Sequence, residues 1–300
     1  MHVTMRLTAR RRALVLRLAS ALALAVPIAA GAQPADTTKI SHDPLFTGRD
    51  AVVAGAFVLA TVAMWPLDRR LERNLADEDL QDNHFIHESS SIIRDIGHPG
   101  STIIGVSMYA AGRLSGSKRL ADLGLHGTEA LYVGAFGASV IKVLAGRARP
   151  YVDPENPHSF VLARGKGSGD YKSFPSGHTT AAFAAASAVT SETSRWWPKS
   201  TPYIGTLMYG GATLVGLSRM YESKHWASDV AMGAAIGTFS GLKVVKYHHA
   251  HPNNRIDRWL LASTTVAGNG RGDWALAVTR PFPGGPRRSS PAPAAGEGPR

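Results

Sequence analysis

Three hundred residues with 44% hydrophobic content are enough for one large domain or two small ones with a real core. The absence of cysteine excludes disulfide staples, thiolate catalysis and Cys-ligated metals. The formal charge of +11 looks like a nucleic-acid footprint, yet five positive charges precede residue 33, and the remaining +6 form no basic stripe interleaved with aromatics, so no nucleic-acid partner is expected.

From the N-terminus, a basic stretch (Arg6 to Arg17), an apolar run (Leu18 to Ala30) and Ala30-Gly31-Ala32 together have the pattern of a cleaved signal peptide over 1–32. That expectation puts the mature protein outside the cytoplasm, periplasmic or membrane-associated. A polar leader follows (33–50). Six apolar segments then recur with polar breaks: Ala51–Trp65, Thr102–Ala111, Ala130–Ile141, Thr179–Val189, Tyr203–Leu217 and Val230–Leu242. They predict an all-α bundle of about six core helices over 51–250, with the chemistry at one end. The charged stretch from Leu67 to Pro99 carries Ile86, Ile92, Ile93 and Ile96 at helix-like spacings, as in a partly buried amphipathic helix.

Each apolar segment is shorter than the roughly 18 residues of a membrane span, which favours a soluble or peripherally bound bundle. Low charge (18%) and small-residue packing leave membrane association open. Residues 251–280 form a C-terminal extension in which Trp259–Val266 and Trp274–Val278 admit a small hairpin. The Pro/Gly/Ser/Ala-rich residues 281–300 are expected to be a disordered tail.

Three short patterns carry the chemistry. The first is Lys142, six residues, then Arg149-Pro150; two helical turns separate the cations, which would share a face, although helix-end cations often serve only the dipole. The second is Pro175-Ser176-Gly177-His178, where Ser176 is a natural N-cap and the helix start attracts anions. The third is Ser218-Arg219, five residues, His225, three residues, Asp229; a carboxylate on one imidazole nitrogen leaves the other free to attack. Each alone is also an ordinary cap or surface pair. Together they supply three cations, two histidines, a carboxylate and an amide-rich helix start, a set complementary to a phosphoryl group.

The sequence from Arg149 to Ser176 is a Pro/Gly-rich connection read as a wall or lid of that site. Arg147 is open between substrate binding and a solvated helix end. Asp170, Tyr171 and Lys172 read as loop filler. His248, His249 and His251 read as an exposed polar turn despite their metal-like clustering.

These three patterns resemble the signature motifs of the type 2 phosphatidic acid phosphatase superfamily, which also includes bacterial acid phosphatases and vanadium haloperoxidases. The resemblance spans about 51–242 without a gap in motif spacing. It implies a phosphatase with His225 as nucleophile, Asp229 orienting it and His178 protonating the leaving oxygen. Lys142, Arg149, Arg219, the Ser176 hydroxyl and the Gly177 amide would hold the phosphoryl oxygens. No metal and no cofactor are implied. The substrate would be a phosphorylated lipid or a small phosphate ester. A vanadate-dependent haloperoxidase and a non-catalytic binder of lipid phosphates are the competing readings.

Overall fold

The computed structural model describes residues 44–252, 254–260, 264–268 and 274–278. The expected signal peptide, most of the polar leader and the expected disordered tail lie outside the described residues. The chain divides into two units, 1–252 and 253–300.

Every apolar segment of the first unit is the middle of a longer helix. α1 (Gly48–Leu75) starts from a capping box in which the Thr47 amide donates to Asp50 Oδ2 at 2.7 Å. The four-residue α2 (Glu78–Gln81) and the amphipathic α3 (His84–Asp95) follow, α3 capped by Asn83 Oδ1 accepting from the Ile86 amide. At Ile96–Gly100 the helix kinks where His98 is extended (φ −164°) and Pro99 removes a donor. α4 (Ser101–Ser115) and α5 (Lys118–Ala145) form an antiparallel pair, and α5 stops at Gly146, whose φ of +54° is glycine's territory. α6 (Gly177–Trp196), α7 (Thr201–Tyr221) and α8 (Ala227–Ala250) complete the bundle.

α6 and α8 pack against each other most extensively, and α8 does so along Gly233, Gly237 and Gly241, one per turn. A Cβ on Gly237 would lie 2.3 Å from the Thr180 carbonyl oxygen, and one on Gly241 2.7 Å from that of Ala184. Only glycine lets these backbones approach so closely, as in small-residue packing between apolar helices. α3 docks through Ile93 onto the cluster of Phe183, Tyr209 and Val215.

The helices run well past the apolar segments, and α1 and α5, at 28 residues each, are long and apolar enough to cross a membrane. Segment length therefore did not argue for a soluble bundle. Unbroken apolar runs underestimate helix length when small residues fill the middle and charged ones decorate the ends. Large side chains such as Leu59, Phe136, Leu207 and Tyr203 are exposed, the last at 79%.

In the second unit, α9 (Arg255–Leu260) precedes an antiparallel hairpin of β1 (Thr264–Gly268) and β2 (Trp274–Val278), with Val266 opposite Leu276. Trp259 belongs to the helix, so the first strand begins five residues later than the pattern suggested.

Candidate active site

Helix direction alternates through the bundle, so one end gathers the C-termini of α1, α5 and α7 and the N-termini of α6 and α8. There a cavity of about 310 Å³ is lined by Lys142, Arg149, Gly177, His178, Arg219 and His225, with His98, Leu131 and Tyr132 completing its wall. No carboxylate belongs to this lining, so its polar face is cationic and imidazole-rich.

Lys142, in the last turn of α5, donates to the Lys172 and Pro175 carbonyls at 3.0 and 2.5 Å. Arg149 is not on that helix, which ended at Ala145; it stands in the loop, with Nε on the Gly169 carbonyl (2.9 Å) and Nη1 on that of Lys224 (3.0 Å). The loop, and not a shared helical face, thus brings the two cations to one cavity. Arg219 is tied by Nη1 to Glu222 at 2.5 Å, while its Nε is buried with no hydrogen-bond partner. A buried guanidinium N–H of this kind is costly unless an acceptor reaches it.

His178 occupies the first turn of α6, its ring edge-on to His98 with centroids 5.6 Å apart. Burial, then Arg219, His98 and Lys142, push its pKa down to about 3. Ser176 caps α6 and is wholly buried, accepting from Thr179 Oγ1 at 2.8 Å. Its hydroxyl therefore serves the helix start and does not line the cavity, unlike the neighbouring Gly177.

His225 sits in the turn before α8. Its Nδ1 lies 2.7 Å from the Ser173 carbonyl and 3.6 Å from Asp229 Oδ2. A carbonyl only accepts, so Nδ1 carries the hydrogen and Nε2 keeps its lone pair. The main orienting contact is thus a backbone oxygen, where the four-residue spacing had pointed to Asp229. Burial, with Lys142 and Arg149 adding to it against the pull of Asp229, lowers the His225 pKa to about 3.

Asp229 organises the floor beneath. Its Oδ2 accepts from Ser173 Oγ (2.5 Å) and the Trp226 amide (2.9 Å), and its Oδ1 from Arg147 Nη1 (2.5 Å). Burial alone would raise this carboxyl, yet Arg147, His225 and Ser173 hold it well below the usual range. Arg147 is completely buried, neither substrate-facing nor solvated. Its Nη2 donates to Asp68 Oδ2 of α1 (2.7 Å) and its Nη1 to Ser228 Oγ (2.7 Å), and its guanidinium lies against Phe160 and Trp226.

Asp68, Ser173 and His98 were not read from the sequence as candidate site residues, and Arg147 was weighed only as a substrate ligand or a solvated helix end. Arg147 had a visible signal, a second arginine beside Arg149. Asp68 and Ser173 had none, because they act through contacts 79 or more residues apart (Asp68) or through a backbone atom (Ser173), and His98 reaches the cavity only through the kink between two helices. The loop from 147 to 175 is a packed wall: Gly165 presses on α5, where a Cβ would lie 2.3 Å from the Lys142 carbonyl oxygen. His248 and His249 do not form an exposed turn; they lie in the last turn of α8, His248 buried and His249 on Glu192.

Residues 125–252 match the sequence profile of the PAP2 superfamily. A 69-residue stretch, 23% of this chain, is 41% identical to a lipid A 1-phosphatase of Porphyromonas gingivalis. That stretch spans about 15% of the curated relative's length. Among solved structures, a transmembrane PAP2-type phosphatidylglycerolphosphate phosphatase from Bacillus subtilis superposes with a TM-score of 0.52 at 19% identity, covering 69% of this chain and 98% of the other. The likeness is one of fold. LpxE of Aquifex aeolicus aligns at a TM-score of 0.45 and 20% identity, over 60% of this chain and 96% of its own.

Proposed function

We propose, from the match of residues 125–252 to the PAP2 superfamily, that the chain is a membrane-embedded phosphatase of lipid phosphates, working outside the cytoplasm through a phosphohistidine. The observation that carries the lipid reading is a second cavity, of about 330 Å³, almost wholly apolar. Ile104, Met108, Leu123, Leu207 and Leu214 are among its lining, and it shares Leu131 with the cationic cavity. One side of Leu131 thus suits a phosphate and the other an acyl chain. α1 and α5 as membrane spans, with exposed Leu59 and Phe136 against lipid, agree with this reading.

His225 Nε2 attacks phosphorus as the bond to the leaving oxygen breaks, and His178 gives that oxygen its proton. His178 is deprotonated in the free enzyme, so it takes up its proton with the phosphate, whose negative charge offsets Arg219 and Lys142. Water then attacks phosphorus, returns a proton to His178 and breaks the P–N bond, releasing inorganic phosphate. Lys142, Arg149, the unpaired Arg219 Nε and the Gly177 amide neutralise the equatorial oxygens. Asp229 and the Ser173 carbonyl stabilise the Nδ1–H side.

The test is phosphate release from phosphatidic acid in mixed micelles and from a soluble aryl phosphate, both in excess chelator. Release that resists chelator and disappears in His225→Ala supports the mechanism; equal release by the variant overturns it. Leu207→Arg, on the apolar cavity's exposed rim, is expected to raise KM for the lipid and leave the aryl ester unchanged. Equal effects on both would remove the lipid reading. Vanadate- and peroxide-dependent halide oxidation without phosphate release would replace the phosphatase reading altogether.

A further inference from the structure

A second polar cluster lies inside the other end of the bundle. His126 of α5, Glu192 of α6 and His249 of α8 each present one ligand atom, and these three atoms all lie within 4.8 Å of one another. Glu192 is wholly buried and its two oxygens serve both histidines: Oε1 is 2.5 Å from His126 Nδ1, and Oε2 is 2.9 Å from His249 Nε2. Fourteen residues of α6 separate Glu192 from His178, roughly 21 Å of helix, so the cluster has no part in the phosphate cavity.

We propose that His126, Glu192 and His249 bind a divalent metal ion, zinc by donor type, which clamps α5, α6 and α8 together. Two imidazole nitrogens and one carboxylate oxygen from three helices are a donor set of zinc sites. With zinc–ligand bonds of about 2.0–2.2 Å, tetrahedral ligands stand roughly 3.3 Å apart, so Glu192 Oε1 and His126 Nδ1, now 2.5 Å apart, would part by about 0.8 Å to admit the ion. The surroundings suit that geometry. His248 stacks on His126 with ring centroids 4.1 Å apart and is itself held by Glu129 Oε2 at 2.5 Å, fixing the plane of the His126 ring.

Asp122 stands on α5 one turn before His126. Its Oδ1 is buried with no hydrogen-bond partner. Glu192 and Asp122 bring two carboxyl groups to this helix junction, and a divalent cation held by Glu192 and the two histidines would carry a water in its fourth position that donates to Asp122 Oδ1.

The experiment uses the full chain in detergent, stripped with chelator and titrated with Zn²⁺. Bound zinc is measured after desalting, and thermal unfolding is followed in parallel. The expected result is one equivalent of zinc per chain and a raised midpoint with Zn²⁺ but not Mg²⁺. His249→Gln, half-buried and so tolerant of change, should weaken binding at least tenfold, Asp122→Asn by about tenfold as an outer partner, and His251→Ala should match the parent. No zinc retained and no midpoint shift in the parent chain would overturn the site, as would equal binding by His249→Gln. If that variant does not fold, the zinc-edge absorption spectrum of the parent decides: two imidazoles with oxygen support the site, and a spectrum without imidazole ligands overturns it. Because phosphate release is read separately in chelator, failure of this site and failure of the phosphatase reading give different results.

Discussion

The bundle puts histidines at both of its ends and gives them opposite company. At the phosphate end, His225 and His178 face Lys142, Arg149 and Arg219, and the Nδ1 of His225 leans on a neutral carbonyl. At the far end, His126 and His249 meet on the carboxylate of Glu192, with Glu129 and Asp122 nearby. The same side chain therefore stands among cations in one place and among carboxyl groups in the other. On the two proposals above, these neighbours and not the residue type separate a site suited to an anion from one suited to a cation.

The contrast breaks most visibly at His225. His225→Ala is expected to lower turnover on the order of 10⁴-fold or more, since removing a nucleophile disables both steps, while the folded state persists. His178→Ala should lose about 10²–10⁴-fold, the range for a proton donor, and recover most with substrates whose leaving group needs no proton. A ratio between aryl and alkyl esters unchanged in His178→Ala would remove it from that role.

Next comes the buried arginine that supports the phosphate end. Arg147→Met leaves Asp68 and Asp229 buried without their partner, a loss of about 3–5 kcal/mol in unfolding free energy. Denaturant melts of the purified protein would read it, and Asp68→Asn combined with Arg147→Met should recover part of the loss. Additive losses in the double variant would mean the three groups do not act as one network.

Acid should separate the two ends as well. His225 and His178 have folded pKa values near 3, below the ordinary 6.5. Their contribution to stability is thus complete above about pH 6.5 and is lost as pH falls towards 3, because the unfolded chain takes up protons that the folded one refuses. Orthovanadate, an anion that offsets the cations around both rings, is expected to shift the acid unfolding transition to lower pH. No shift with saturating vanadate would mean that the cavity does not set these pKa values.

How much of this was legible varied with the distance over which each contact acts. Lys142, Gly177, His178, Arg219, His225 and Asp229 were readable because helix ends and short spacings are local properties. The six apolar segments gave the six long helices for the same reason. Arg149 was placed on the right cavity by the wrong route, through a helix that had already ended at Gly146. Ser176 was readable as a cap but not as a buried one. Asp68 and Ser173 were invisible: one meets Arg147 across 79 residues, and the other works through a backbone oxygen that any residue would supply. The far-end cluster joins His126, Glu192 and His249 from three helices, so no spacing within the chain announces it. Of its histidines, His249 was read as part of an exposed turn because burial is a tertiary property.

The seam between α6 and α8 joins the two ends, and it offers the smallest and cleanest test. Gly237→Ala puts a methyl 2.3 Å from the Thr180 carbonyl oxygen and 2.8 Å from the Ala184 amide nitrogen, both backbone atoms that cannot swing away. The helices must separate, at a cost of about 1–3 kcal/mol. Gly210→Ala on α7 meets nothing within 4 Å, and there the helix gains about 0.4–1 kcal/mol from the reduced freedom of the unfolded chain. Opposite shifts in thermal midpoint are therefore expected from one chemical change. If both variants melt alike, the glycine stripe is not what sets the spacing of α6 and α8, and the geometry joining His178 to Glu192 must be fixed by other contacts.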